Sequence, residues 1–354
     1  MATERPASRA YAPQLDGLRA VAVAAVAYSH WLPAWQFGLP FGAGVHLFFV
    51  LSGFLITRLL LDARTAADRP AAVRQFFVRR ALRLFPAFYV VLGAAWAADV
   101  PRAATTWPWH AAYLSNVYTA WQGVWQGHFS HFWSLAVEQQ FYLAFPWLVV
   151  WSPARWLGPA FGLTVLAGPL AHAAAAARGL PEPFWALVPA GSADSLGVGA
   201  LVAWLDWRRT RGRAAVWAWA AAGGAVAWAA LALAERRGMP MTPLLTVGRQ
   251  LLQAGMFGAV VWRAARGFDG PIGRLLSHPR VVHVGRISYG LYLVHPFAPG
   301  VLHALLSPFG ADVFAWPAPV RAAAAWTASV ALAQGLWVVV ERPAHRLKAR
   351  LSAR

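Results

Sequence analysis

Apolar runs of roughly 17–25 residues, the length that crosses a bilayer as an α-helix, recur from one end of this sequence to the other. Read by hydropathy, they fall at 15–33, 42–61, 83–100, 132–151, 157–177, 187–205, 214–234, 242–262, 284–304 and 320–340. The interruptions carry Pro, Gly and Arg, residues that break helices or cap a span. Composition agrees: 59% of residues are hydrophobic and 12% are charged, against about 25% charged in an average globular protein. The 21 Trp and 20 Phe exceed what one soluble core could hide from water. The chain therefore reads as an all-α polytopic membrane protein of about ten spans. No interruption is long enough for a soluble domain, so residues 1–354 read as a single integral-membrane domain. The longest interruption, Pro101 to Ser130, is rich in Trp, His and Gln and reads as interfacial.

Lys and Arg number 31 against 13 Asp and Glu. In a soluble protein such an excess points to nucleic acid, but no basic stripe lies on a polar domain here, so no nucleic-acid partner is expected. The excess instead follows topology. With the N-terminus inside, 24 of the 31 basic residues fall on inside segments, from Arg5 and Arg9 through Arg208, Arg209, Arg211 and Arg213 to Arg354. Five fall outside: Arg102, Arg178, Arg236, Arg237 and Arg321. Cytoplasmic loops collect Arg and Lys, so both termini are expected in the cytoplasm and the span number is expected to be even. The opening resembles a signal peptide, a basic stretch before the apolar run Ala20–Ala27, but the many later spans favour an uncleaved first span. Cysteine is absent. That excludes disulfides, thiolate nucleophiles and Cys-based metal sites, and no metal is expected.

Ionisable groups inside spans are costly and usually functional. The first span carries Asp16, Arg19 and His30, and the second carries His46. Arg80 and Arg83 stand at the cytoplasmic mouth of the third. The fourth holds His131, Glu138, Gln139 and Gln140, the sixth Asp194, and the ninth Tyr289, Tyr292 and His295. His30 lies eleven residues beyond Arg19, about 16 Å further outward at 1.5 Å per residue. Counting in the same way along alternating spans places His46, Glu138 and Asp194 in the outer half with His30. A His–carboxylate group is thus expected outside and a guanidinium group inside. Tyr292 and His295 read as packing and hydrogen-bonding residues between spans. The Trp-rich stretch from Trp107 to Trp133 reads as an aromatic belt, with stacking on a sugar as the sharper alternative.

Five segments then stand out in order. They are Leu15-Asp16-Gly17-Leu18-Arg19-Ala20 followed by His30; Gly44 to Ile56, which includes His46; Phe77 to Pro86, which carries Arg80 and Arg83 as Arg-x-x-Arg; Trp133-Ser134-Leu135-Ala136-Val137-Glu138; and Gly285 to Pro296. Together they resemble the signatures of the membrane-bound acyltransferase 3 family and cover nearly the whole chain. The second signature of that family often has Asp where His46 stands, so the orienting of a catalytic His would pass to Glu138, Asp194 or a neutral His46. Some family members carry an added C-terminal hydrolase-like domain. The chain ends fourteen residues after Val340 and resembles the stand-alone form.

The resemblance implies transfer of an acyl group, often acetyl, from cytoplasmic acyl-coenzyme A to a hydroxyl of a glycan or other sugar-containing acceptor. It also implies a multi-pass location among the lipids of a bacterial inner membrane. Arg19, Arg80 and Arg83 suit the donor phosphates, because guanidinium groups bind phosphate in bidentate fashion. His30 suits general-base attack by the acceptor hydroxyl, with a carboxylate, Glu138 or Asp194, fixing its tautomer. Covalent acyl transfer through His30 is the alternative within this reaction. A transporter or flippase is the competing function, supported only by many spans with buried charge and lacking an internal repeat.

Overall fold

The computed structural model describes residues 11–36, 41–179, 187, 189–208, 214–239 and 242–352. Arg5, Arg9, Arg209, Arg211, Arg213 and Arg354, all counted in the charge asymmetry, lie outside the described residues, as do the basic start of the first apolar run and part of the opening of the 187–205 window. Every regular element among the described residues is helical. In order they are α1 (Pro13–Trp31), α2 (Gly44–Arg64), α3 (Arg69–Ala97), α4 (Ala103–Ala111), α5 (Ser115–Gln122), α6 (Phe132–Trp151) and α7 (Ala154–Ala177). There follow α8 (Ala193–Trp207), α9 (Ala214–Arg236), α10 (Pro243–Arg266), α11 (Gly270–Ser277), α12 (Pro279–Arg286), α13 (Ser288–Val294), α14 (Ala298–Leu306), α15 (Ala318–Leu336) and α16 (Arg342–Ser352).

A helix falls in each hydropathy window, and four stretches are long and apolar enough to cross a membrane by length and composition: Phe41–Arg64, Ala154–Ala175, Leu244–Arg266 and Ala318–Leu347. Large apolar side chains point away from the protein. Leu143, Leu163 and Leu170 are 67%, 69% and 64% exposed, as a lipid-facing surface requires and a water-facing one does not. The chain is an integral-membrane protein, all-helical in its regular elements among the described residues.

Two windows are corrected. The third, read as 83–100, is the rear part of α3, which begins at Arg69. Asp68 caps that helix by accepting from the Ala71 N–H at 2.8 Å, and Pro70 sits in its first turn, both start signals. The charges of Arg69, Arg74, Arg79, Arg80 and Arg83 hide this half of the helix from a hydropathy count. Arg83 therefore stands about 21 Å along α3, inside the bundle and not at its mouth. The ninth window, 284–304, is no single span. It is three short helices, α12 to α14, with a break at His295–Phe297 where Pro296 stands. A π-turn at Trp337–Glu341 separates α15 from α16.

Buried apolar residues form connected clusters around α1, α2 and α3. Val23, Phe88, Phe132 and Leu291 join α1, α3, α6 and α13. Leu18, Phe54, Val202, Val261 and Leu276 join α1, α2, α8, α10 and α11. Ile56, Phe76, Phe145 and Phe161 join α2, α3, α6 and α7. Between α2 and α8 the backbones touch. A Cβ on Gly53 would lie 2.1 Å from the Leu196 carbonyl oxygen, and one on Gly199 would lie 2.2 Å from that of Val50. Small residues at a crossing allow such approach between helices in a bilayer, where packing replaces the hydrophobic drive.

The contact makes a contrast measurable by thermal melting in detergent. Gly199→Ala forces the α2–α8 backbones apart and costs about 1–3 kcal/mol, as overpacking does. A Cβ on Gly335 of α15 would meet nothing within 4 Å, so Gly335→Ala is neutral or stabilises by about 0.5–1 kcal/mol. Equal melting temperatures for the two variants would refute the close-contact account.

Candidate active site

Polar residues from five helices meet in the middle of the bundle. α1 contributes Arg19, α2 Ser52, α3 Arg80 and Arg83, α6 Ser134, Glu138 and Tyr142, and α13 Ser288, Tyr289 and Tyr292, all lining one narrow cavity of about 70 Å³. The three α6 residues are spaced by four, which puts them on one helix face. Glu138 accepts hydrogen bonds from both the Ser52 hydroxyl and the Tyr142 phenol on the same oxygen, Oε1. The Arg80 guanidinium lies 4.9 Å over the Tyr142 ring, a cation–π geometry. Arg19 bonds Asp16 at 3.1 Å, and Asp16 also accepts from the Tyr11 phenol. The Tyr289 phenol donates to the Leu84 carbonyl at 2.9 Å, and the Tyr292 phenol meets Ser134 Oγ at 2.6 Å.

Two larger cavities flank this one. Toward the α2–α3 turn, a cavity of about 410 Å³ is lined by Asp62, Gln75, Phe76 and Arg79, and it shares Arg80 and Arg83 with the central cavity. Toward the opposite end, a cavity of about 730 Å³ is lined by His30, Trp125, His128, His131, Trp133 and Arg321 among others. It shares Val45 and Tyr292 with the central cavity. Three cavities thus lie in series, joined by shared walls, with guanidinium groups at one junction and an imidazole-rich chamber at the far end.

The chamber owes its histidines to the broken helix. Pro296 has no N–H, so the Tyr292 carbonyl four residues earlier lacks its helical partner. The Phe297 N–H turns to Val294 O, which leaves the Leu293 carbonyl free as well. Unpaired carbonyls are costly where there is no water, and each is taken by an imidazole. His295 Nδ1 lies 2.8 Å from Tyr292 O, His131 Nε2 lies 3.2 Å from Leu293 O, and His128 Nδ1 lies 3.1 Å from Pro296 O. His295 is fully buried, whereas His30 is exposed to the chamber. Their rings are joined through His30 Nδ1 and His295 Nε2, 2.9 Å apart. The two ring planes are only 17° apart.

The residues singled out from the sequence divide into three places. Arg19, Arg80, Arg83 and Glu138 share the central cavity, and His30 faces the outer chamber. Glu138 is bound to Ser52 and Tyr142 and does not join His30, contrary to the shared-depth count. α6 carries Glu138 six residues beyond its first residue, about 9 Å along the axis, down to the level of the guanidinium groups. His46 bonds Ser195 at 3.1 Å, and Asp194 packs against Gly168 of α7; neither lines the three cavities. Gln140 ties α6 to α5 through Asn116 and to the α4–α5 turn through the Tyr113 carbonyl. Ser52 and Tyr142 escape a reading of the sequence, although the spacing of Tyr142 from Glu138 is a visible signal. Among the described residues no group of three or more His, Asp or Glu side chains is arranged to hold a metal.

A sequence model of the family described as "Acyltransferase domain" matches residues 13–338. The peptidoglycan O-acetyltransferase OatA of Listeria monocytogenes is 38% identical over 156 residues, which is 39% of this chain and 24% of OatA. A putative peptidoglycan O-acetyltransferase, YrhL, of Bacillus subtilis is 37% identical over 155 residues, 40% of this chain and 24% of YrhL. A putative O-acetyltransferase of Staphylococcus aureus is 35% identical over 158 residues, 40% of this chain and 25% of the relative. The matched segment spans about a quarter of the length of these curated relatives. No solved structure matches the chain.

The Glu138 cluster makes a stability prediction. Ser52→Ala and Tyr142→Phe each remove one donor from the carboxylate and cost about 1.5–3 kcal/mol, the range for a hydrogen bond to a charged group. The double variant costs more than the sum, because it leaves Oε1 with neither donor in a low-dielectric interior. Melting temperatures of the four proteins check it; a double variant no less stable than the worse single one contradicts the arrangement.

Proposed function

The chain belongs to the acyltransferase family whose domain model spans it, and on that premise we propose that it transfers an acyl group, acetyl as in its relatives' names, from a coenzyme A thioester to a sugar hydroxyl on the other side of a bacterial cytoplasmic membrane. The observation that carries this reading is the series of three cavities with guanidinium groups at one junction and His30 beyond the other. Arg80 and Arg83 face both the α2–α3 chamber and the central cavity, where guanidinium groups suit the donor phosphates. The narrow central cavity suits a thin pantetheine arm and not a nucleotide. Its thioester then lies toward His30, whose imidazole acts as general base on the acceptor hydroxyl.

The acceptor is a glycan in this reading, because the relatives carry peptidoglycan in their names. Trp31, Trp125 and Trp133 line the outer chamber, and indole faces suit the apolar faces of sugar rings. The α2–α3 chamber is cytoplasmic in the reading, as the Arg asymmetry of the sequence requires. Transport loses its ground as an alternative, since its only support was buried charge, which acyl transfer uses directly.

Two experiments test this. Gln75 lines the α2–α3 chamber and Gly300 the outer one, and the protein has no Cys of its own. In intact cells an impermeant thiol reagent labels Gly300→Cys and spares Gln75→Cys until the membrane is opened; the reverse pattern overturns the direction of transfer. On purified protein, thiol release from acetyl-coenzyme A is followed while the donor is titrated. Arg83→Ala loses about 1.5–3 kcal/mol of donor binding, a rise of about 10- to 150-fold in half-saturating donor, with a smaller change in kcat. His30→Ala loses about 10²- to 10⁴-fold in kcat with donor affinity kept. An Arg83→Ala enzyme that binds donor normally, or a His30→Ala enzyme with native kcat, overturns the assignment of that residue.

A further inference from the structure

The geometry points to His295 as a positioning residue that fixes the tautomer of His30, leaving His30 Nε2 as the bare nitrogen offered to the acceptor. This rests on the general-base reading of His30 given above. A carbonyl oxygen only accepts, so the 2.8 Å contact of His295 Nδ1 with Tyr292 O puts the hydrogen of His295 on Nδ1. In the neutral ring the other nitrogen, Nε2, is then an acceptor. It lies 2.9 Å from His30 Nδ1, which must supply the hydrogen. The hydrogen of a neutral His30 is therefore on Nδ1, and its Nε2 carries a lone pair. Nδ1 being engaged, Nε2 is the ring nitrogen left to reach a ligand in the outer chamber that His30 lines.

The arrangement begins in the sequence. Pro296 strips the Tyr292 carbonyl of its helical partner, and that vacancy is what orients His295. The ring of His295 is further held edge-on by His131, with centroids 5.3 Å apart at 67°, and by Trp31 at 6.1 Å and 70°. No carboxylate hydrogen-bonds His30 among the described residues, so the orienting part that Asp plays in a Ser-His-Asp triad falls to a second, buried imidazole. A neutral imidazole orients as a carboxylate does but offers no charge to stabilise the imidazolium.

The transfer step balances with this assignment. As the acceptor oxygen bonds the thioester carbonyl carbon, its proton moves to His30 Nε2. When the C–S bond breaks, the coenzyme A thiolate leaves and takes that proton from Nε2. The hydrogen on Nδ1 stays in its bond to His295 throughout, and His30 returns to its starting tautomer. If His30 instead carried its hydrogen on Nε2, it could not accept at the position where the hydroxyl arrives.

The test joins a structural readout to a kinetic split. The ¹⁵N shifts of His30 in labelled full-length protein, assigned as the signals lost in His30→Ala, report which nitrogen holds the hydrogen. The native protein is expected to show Nδ1–H, and His295→Phe a gain of the Nε2–H form. His295→Phe is expected to lose about 100-fold in kcat, less than the loss from spoiling a charged triad Asp, with half-saturating donor changed within about threefold. His295→Gln, whose amide can donate to Tyr292 O and accept from His30, is expected to stay within about tenfold of native kcat. An Nε2–H signal for native His30, or a native kcat in His295→Phe beside an inactive His30→Ala, overturns the role of His295 alone. An active His30→Ala removes the general-base reading and this inference with it. Should His295→Phe fail to fold, the shifts of the native protein still decide the tautomer.

Discussion

Everything along the cavity series depends on where α1 stands, and α1 is held by backbone contacts that only glycine permits. A Cβ on Gly17 would lie 2.3 Å from Leu276 O of α11, one on Gly285 of α12 would lie 1.9 Å from Asp16 O, and one on Gly44 of α2 would lie 2.5 Å from Ala22 O. In a bilayer, lipid tails are as apolar as a leucine, so close packing and not burial from water fixes such a helix. α1 carries Arg19 in the central cavity and His30 in the outer chamber. Eleven residues of one rigid helix set them about 16 Å apart. A shift of α1 by one turn would move both ends of the path at once.

The second constraint is the satisfaction of carbonyls. A soluble protein can let a proline-broken helix end in water, but a membrane-embedded one must find a donor for each freed oxygen. Here the break at Pro296 frees Tyr292 O and Leu293 O, and imidazoles of His295 and His131 take them. The same act that satisfies the backbone orients the rings. The histidine cluster of the outer chamber is thus a consequence of a helix break that itself follows from one proline, and His30 is coupled to that break through His295.

Much of this is legible in the residues. The apolar runs locate the helices, and the 132–151 window coincides with α6 residue for residue. The eleven-residue step from Arg19 to His30 needs only the helical rise. What fails is depth counted across different spans. Such a count takes each span to begin at the membrane surface, and α3 instead begins at Arg69, so its arginines ride up into the bundle and meet Glu138. Carboxylates are expected beside His30 because an imidazole in a triad commonly has one. The partner is His295, which reads from the sequence as packing, because hydropathy cannot register which carbonyl a proline has orphaned. His46 and Asp194 are placed by helix packing instead: His46 is half-buried at the α2–α8 crossing, where it meets Ser195 beside the tight contacts of Gly53 and Gly199, and Asp194 is buried against Gly168 of α7.

The central cavity also gathers positive charge deep in the bundle. Arg19, Arg80 and Arg83 line it with one carboxylate, Glu138, and that carboxylate is already committed to Ser52 and Tyr142. Asp16 engages Arg19, Arg80 lies over the Tyr142 ring within electrostatic reach of Glu138, and Arg83 is within electrostatic reach of the buried Glu341. Buried charge in a low-dielectric interior is unfavourable unless paired, and each of these guanidinium groups has a carboxylate within reach. In the proposed reaction an anionic donor meets the α3 pair from the chamber nearer the α2–α3 turn, which Arg80 and Arg83 line. His30 stands beyond Tyr292, the wall that the central and outer cavities share. The proposed reaction therefore separates charge recognition and proton transfer along one axis, and in it only a donor long enough to reach from the arginines past Tyr292 engages both.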